Sequence, residues 1–256
     1  MTHPAFISMG VNGFWVGKFE TGYKGATSTT TAQVNSNDAS KIIIKPNSYS
    51  WRNMTIKNAF EASYNYQRKT NSHMMKNTEW GAVAYLSHSK YGIGYEININ
   101  NNSSFKTGYS SLPSTNQQTF PGTSGDGSNY NDKYNTKIGF LASTTKNISG
   151  IYDMSGGTIE YMASHMNNQL GSSGFTTSKI QEYDSKYFDV YSPSSTISSY
   201  QYRILGDATG EMGPFKHYLD GDNISRWHNN WYGDASDFIA SNMFLILIPL
   251  HEYTFG

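Results

Sequence analysis

Two acids, Asp153 and Glu160, flank the glycine pair Gly156-Gly157 in the stretch NISGIYDMSGGTIEYM, which runs from Asn147 to Met162. A bend of this kind can turn backbone carbonyls and both carboxylates toward one point, the oxygen-rich arrangement that a hard cation requires. Glycine tolerates positive φ and close backbone approach, so the pair suits a tight turn. The same residues also suit a plain turn with two solvated acids. A second stretch, RWHNNWYGDASDF at 226–238, gathers Arg226, Trp227, His228, Asn230, Trp231 and Tyr232. Trp, Tyr and Arg dominate binding hot spots, so at a surface these six make a ligand-binding patch. Buried, they are aromatic core with polar caps.

Other chemistry leaves few traces. The chain has no cysteine, which excludes disulfides, thiolate metal sites and a cysteine nucleophile. There is no Gly-x-Gly-x-x-Gly after a strand, no Walker loop and no His-Glu-x-x-His. A Gly-x-Ser-x-Gly elbow is also missing. His73, His88, His165, His217, His228 and His251 show no spacing that would turn two or three rings toward one cavity. His73 and His88 lie in amphipathic segments and read as structural or surface histidines. The stretch GDGSNYND at 125–132 has the look of a calcium loop but lacks the alternating acids and the closing Glu. Nothing in these residues demands an enzyme.

At 256 residues the chain is one large domain or two small ones, with length enough for a substantial core. Its 19 basic and 19 acidic residues cancel, and no Lys/Arg run appears, so a nucleic-acid partner is not expected. Twenty tyrosines, with abundant Asn, Ser, Thr and Gly, suit loop-rich contact surfaces. The first twenty residues lack a basic segment followed by an apolar one, so no signal peptide is expected there. The longest apolar run, 243–250, is too short to cross a bilayer. The expectation is a soluble chain with no membrane span, any export signal lying outside this sequence.

The elements that must position these residues follow from periodicity. Phe14–Glu20 (FWVGKFE) alternates like a strand, 21–40 reads as a polar loop, and Lys41–Lys45 (KIIIK) is a β-branched strand ended by Pro46. Met54, Ala59, Phe60, Ala62 and Ser63 recur at helical spacing, with Ser50 or Asn53 as cap. Residues 73–91 give a second helix, capped by Asn77 or Thr78, with Glu79 in its first turn where the helix dipole favours an acid. Residues 92–146 are a long polar stretch of low periodicity, which tends to be functional or disordered. Further strands are expected over 187–191 and Tyr200–Leu205.

FWVGKFE at 14–20, SYSWRNMTIKNAF at 48–60, HMMKNTEWGAVAYL at 73–86 and GIYDMSGGTIEYM at 150–162 stand in the order of four motifs of one family. They resemble the opening Phe-x-x-x-Lys-Tyr-Glu strand, the Val-Ser-Trp-x-x-Ala helix start, the Glu-Ala-Glu-Trp-Glu-x-Ala helix and the Gly-Leu-Tyr-Asp-Met-x-Gly-Asn-Val-Trp-Glu-Trp loop of the formylglycine-generating-enzyme-like, or sulfatase-modifying-factor, branch of the C-type-lectin fold. The wording is similar to that of gut-bacterial surface proteins, which often carry this domain after a prepilin-like anchor. The chain departs from the pattern at Gly157 and Ile159, where Asn and Trp are usual. It lacks the closing Arg-Gly-Gly-Ser-Trp and Gly-Phe-Arg strands, ending instead in an atypical apolar segment over 239–256.

The resemblance implies an α+β fold over residues 1–256, a single C-type-lectin-like domain with a twisted, largely antiparallel sheet, two helices and extensive loops. It implies calcium held by Asp153, Gly156, Thr158 and Glu160. The catalytic cysteines of formylglycine-generating enzymes have no counterpart, so that activity is not expected. The leading expectation is a non-catalytic, extracellular or cell-surface domain binding a glycan or protein ligand through loops 101–135 and 207–238. Two alternatives stand beside it: a structural pilus or surface subunit, and a degenerate oxidoreductase of the same scaffold.

Overall fold

The computed structural model describes residues 13–87, 89–92, 97–98, 100, 102–110, 132–154, 156–158, 161–166 and 170–191. They form a mixed α+β arrangement of three helices and short strands. The strands pair in twos. β1 (Gly22–Tyr23) runs antiparallel to β2 (Ile42–Ile43), and β3 (Tyr109–Ser110) runs antiparallel to β4 (Asp132–Lys133). β5 (Ser164–Met166) lies parallel to β6 (Asp189–Tyr191), with Ser164 opposite Asp189 and His165 opposite Val190.

The helix α1 (Ile56–Tyr66) begins where Thr55, in extended conformation, accepts the Asn58 N–H on its hydroxyl. Such a cap satisfies one of the N–H groups that a first helical turn leaves open. Thr55, not Ser50 or Asn53, therefore starts the helix. Asn53 sits at φ 61, and the Ser50 hydroxyl is turned away to Glu20. The inner face of α1 carries Ala59, Phe60, Ala62 and Ser63 into a core with Trp51, Met54, Met74, Ala163 and Tyr187. Phe60 meets Phe175 and Tyr183 edge-on at 5.5 and 4.9 Å, a favoured aromatic geometry. Glu61 is buried beside them but satisfied by Lys57, Asn37 and the Tyr183 hydroxyl.

The helix α2 (Asn77–Leu86) is buried on every side over residues 77–84, as expected of a central helix rather than a surface one. Its start is held by acids. The Glu79 carboxylate reaches back to accept the Lys76 N–H, half of a capping box, and Asp189 accepts both the N–H and the hydroxyl of Thr78. The cap is thus supplied by residues 79 and 189, the second 111 positions away from Thr78.

The third helix, α3 (Thr177–Ile180), is a single turn capped by Thr176. Phe14–Glu20 departs from the expected strand. Lys18–Phe19 is a bend, and the segment gives its backbone to 152–153 by isolated bonds instead of a ladder. The strand in this region is β1, inside the stretch read as polar loop. The expected 187–191 strand is shorter, as Ser185–Tyr187 is a 3₁₀ turn and only Asp189–Tyr191 pairs. The long stretch 92–146 contains β3, β4 and a 3₁₀ turn over Gly139–Ala142. The expected strand Tyr200–Leu205 and the segment 239–256 lie outside the described residues.

Candidate functional site

Asp153 is where the chain's distant segments meet. Tyr152 fixes its approach: the buried ring stacks on Phe19 at 5.3 Å, and its hydroxyl donates to the Tyr134 and Asn147 carbonyls. Asp153 itself adopts φ 62, a left-handed conformation that Asp tolerates better than most residues. The turn sends its carboxylate inward, where it is 1 % exposed. There Oδ1 accepts from the Asn100 amide at 2.8 Å and from the Gly108 N–H at 2.8 Å. Oδ2 accepts from the same Gly108 N–H at 3.0 Å and from the Glu20 N–H at 3.2 Å. Burial pushes the Asp153 acid up to about 6, and the Gly108, Asn100 and Glu20 donors pull against that rise.

Glu20 is the second buried acid of this region, with no exposed surface. Its Oε2 accepts the Ser50 hydroxyl at 2.8 Å. Burial, then the charge of Asp153, raise its pKa well above the usual carboxylate range, while Ser50 and Thr158 oppose the rise. Thr158 thus lies close to the Glu20 carboxyl, yet Glu20 Oε1 and Thr158 Oγ1 are both buried without a hydrogen bond of good geometry. Gly157, at φ +84, faces the same carboxyl, and a Cβ there would stand 2.9 Å from Glu20 Oε2. The Gly157 N–H donates to the Asn100 carbonyl, and Asn100 pairs with Gly156 in a parallel bridge. One asparagine therefore grips both the bend, by its backbone, and Asp153, by its amide.

The donors expected for calcium divide on this geometry. An ionised carboxylate offers about four lone-pair directions. In Asp153 each oxygen already faces two N–H contacts, so this side chain does not fit a ligand role without giving up its hydrogen bonds. Thr158 fits better, because its buried hydroxyl lies against the Glu20 carboxyl and makes no hydrogen bond of good geometry. Gly156 stands at the bend, and Glu160 lies outside the described residues. No three of His, Cys, Asp and Glu converge on one point among the described residues. Sequence reasoning missed Glu20, Asn100 and Gly108. For Glu20 a signal was present, since it closes the FWVGKFE motif as an acid after an apolar-aromatic run.

Arg226, Trp227, His228, Asn230, Trp231 and Tyr232 lie outside the described residues, as do His88, His217 and His251. His73 faces the Asn71 carbonyl with Nδ1 and Glu79 with Nε2, and tilts against Tyr187, so it fastens the turn before α2 to the body. His165 is buried on β5 beside Phe188, and burial lowers its pKa. It borders a small cavity of about 30 Å³ with Phe60, Leu170, Phe175 and Ile180, room enough for water.

Fold and site together define a mixed α+β domain knitted by buried carboxylates. Among known proteins, the chain matches no protein-family model and no curated sequence. Among the described residues, no helix is long and apolar enough to cross a membrane.

Proposed function

We propose that this chain is a non-catalytic ligand-binding or display domain of the C-type-lectin fold, in its formylglycine-generating-enzyme-like branch, acting at the cell surface or outside the cell. Its ligand is a glycan or a protein, bound by the aromatic stretch 226–232, and calcium stiffens the bend at 153–160. The observation that carries this reading is the convergence of the family-like segments. The Tyr152 N–H bonds the Lys18 carbonyl, the Ser50 hydroxyl bonds Glu20, and the Trp51 N–H bonds the Thr21 carbonyl. Three of the four segments that resemble the family thus meet around Glu20 and Asp153, which are two residues of those motifs. The fourth enters through Met75, whose carbonyl accepts the Ala163 N–H just beyond the bend. Such a framework suits loops that carry binding while a rigid body holds them.

Glycan-array and surface-protein binding by the full chain tests the ligand half. A saturable signal lost in Trp227→Ala and Trp231→Ala, with the melting temperature unchanged, supports the reading. Filament assembly by the isolated chain without ligand binding would favour a structural surface subunit instead.

A further inference from the structure

We propose that Lys57 and Asn37 become joined by an amide bond from Nζ to Cγ, with Glu61 carrying the proton from one nitrogen to the other. The inference concerns a cross-link within the body of the domain and stands apart from the ligand and calcium readings.

Three side chains with complementary chemistry meet at one atom. Glu61 Oε2 accepts the Lys57 ammonium at 3.0 Å and the Asn37 amide nitrogen at 2.7 Å. The amine of one residue and the carboxamide of the other are thus neighbours on a single acceptor. Glu61 is held in place by its other oxygen. Oε1 takes the Tyr183 hydroxyl at 3.1 Å, and the Tyr183 ring packs edge-on against Phe60 at 4.9 Å. The Glu61 side chain is only 7 % exposed, whereas Asn37 stands at the surface.

The backbones on either side are fixed as well. Asn35 Oδ1 accepts from the Thr55 N–H and the Asn58 amide, and the Val34 carbonyl accepts the Trp51 indole N–H. The Lys57 N–H bonds the Ser173 carbonyl. The stretch leading to Asn37 is therefore clamped on the first turn of α1. Reactants held this way avoid much of the entropy cost of a bimolecular step. An ordinary ion pair four residues apart on a helix accounts for the Lys57 contact. The carboxamide brought to the same oxygen from a separate loop completes a reacting set.

Burial pushes the Glu61 acid up, but the bonds from Asn37, Lys57 and Tyr183 more than reverse this and hold it below the ordinary carboxylate range. At rest it is a carboxylate facing an ammonium. Transfer of one proton from Nζ to Oε2 leaves a neutral amine, the nucleophilic form of lysine. The Nζ lone pair attacks Asn37 Cγ, and Glu61 passes its proton to Nδ2. That nitrogen leaves as ammonia with the electrons of the broken Cγ–Nδ2 bond. The second proton lost by Nζ goes to the ammonia, which enters the solvent that Asn37 faces as ammonium. One C–N bond forms, one breaks, and nothing is oxidised or reduced. The chain loses one ammonia and one positive charge.

Intact mass of the full chain, folded and incubated at neutral pH, tests the assignment beside a sample kept in denaturant. The folded chain should be lighter by one ammonia than its sequence, and the denatured one should not. Trypsin should release a branched peptide joining 25–41 to 53–68, because Lys57 in amide linkage resists cleavage. Lys57→Arg keeps a cation beside Glu61 but forms no such amide, so it should retain its full mass. Glu61→Gln keeps an acceptor but carries no proton, and should retain its full mass too. A folded parent at full mass, with 25–41 and 53–57 recovered separately, would overturn the proposal. So would an ammonia deficit that persists in Lys57→Arg, which places the loss elsewhere. Conversion of Asn37 to Asp would also overturn it, by showing water in the place of the amine. A branched peptide retained in Glu61→Gln would overturn the proton-carrying role of Glu61. Should Glu61→Gln fail to fold, Lys57→Arg, at a half-buried position, carries the test alone.

Discussion

The backbone N–H of Gly108 donates to both carboxylate oxygens of Asp153, at 2.8 and 3.0 Å. The contact joins a residue just ahead of β3 to the bend that follows Tyr152. Each partner is fitted to the other. Gly108 adopts φ +71, and a Cβ on it would press to 2.9 Å from the Phe19 ring. Asp153 adopts φ 62, so its side chain can turn back under the segment instead of out to water. With one N–H shared between its two oxygens, the carboxylate cannot rotate without losing one of its acceptor contacts.

Removing that carboxylate should be among the most costly single changes in the described region. Asp153→Ala leaves the Gly108 N–H, the Asn100 amide and the Glu20 N–H buried without their acceptor. Each orphaned donor costs about 1–3 kcal/mol, and the three share one cavity, so a total loss of about 3–5 kcal/mol is expected. Asp153→Asn keeps one acceptor oxygen but points an NH₂ at one set of donors, and should fall between the two. Urea unfolding with an unchanged m value reads the difference directly. A loss below about 1 kcal/mol for the alanine variant would mean that solvent reaches the site.

Gly157 and Gly25 separate backbone strain from crowding. Both sit at strongly positive φ, +84 and +89, but a Cβ on Gly25 meets nothing within 4 Å while one on Gly157 meets Glu20 Oε2 at 2.9 Å. Gly25→Ala should therefore cost about 1–2 kcal/mol, the left-handed penalty alone. Gly157→Ala carries the same penalty plus displacement of a buried carboxyl, and should cost clearly more. Equal midpoints for the two variants in urea would show that Glu20 moves aside freely.

What the sequence disclosed, and what it hid, divides along contact range. The segment around Asp153 announces itself through its glycines and acids, and α1 and α2 through their apolar spacing. Their caps differ from the expected ones: α1 is capped locally by Thr55, while two of the residues expected to cap, Ser50 and Thr78, are drawn to remote partners. Ser50 has the right chemistry for an N-cap, yet its hydroxyl goes to Glu20, 30 residues away. Thr78 is itself capped, by Asp189. Asp153 was legible as a special residue but read as a cation ligand, because its three donors come from 45, 53 and 133 positions off. No local pattern encodes that convergence. Phe14–Glu20 alternates as strands do, but its backbone meets single bonds from 152–153, so alternation marks burial there and not a ladder.

The two serine and threonine hydroxyls around α1 should behave differently on deletion. Thr55→Ala removes an N-cap at a half-buried helix start and should cost about 1 kcal/mol. Ser50→Ala removes a 2.8 Å hydrogen bond of a fully buried carboxyl, so the loss should exceed that of the cap and reach about 2–3 kcal/mol. Helical circular dichroism should fall ahead of the main transition only for the Thr55 variant. If Ser50→Ala is the milder of the two, the Ser50–Glu20 bond contributes little and the cap dominates.

Asp189 supplies a pH dependence with a definite sign. Burial pushes its acid from the ordinary value of 3.8 up to about 6, against the pull of Lys76 and the Thr78 N–H, with Glu79 adding to the rise. A raised carboxyl binds its proton more tightly in the folded chain than in the unfolded one. Between these two values the folded state therefore holds more protons, and the stability slope with pH is negative. The stabilisation is complete below the unfolded value and is lost as pH rises through about 6. Asp189→Asn keeps an acceptor for Thr78 but cannot titrate, so it isolates the effect from other acids. The parent should lose about 1–3 kcal/mol relative to Asp189→Asn between the acid and neutral ends of a urea series. Should the parent gain on the variant as pH rises, Lys76, with Nζ 3.8 Å from Oδ1, and the positive end of α2 outweigh desolvation, and the acid is held ionised.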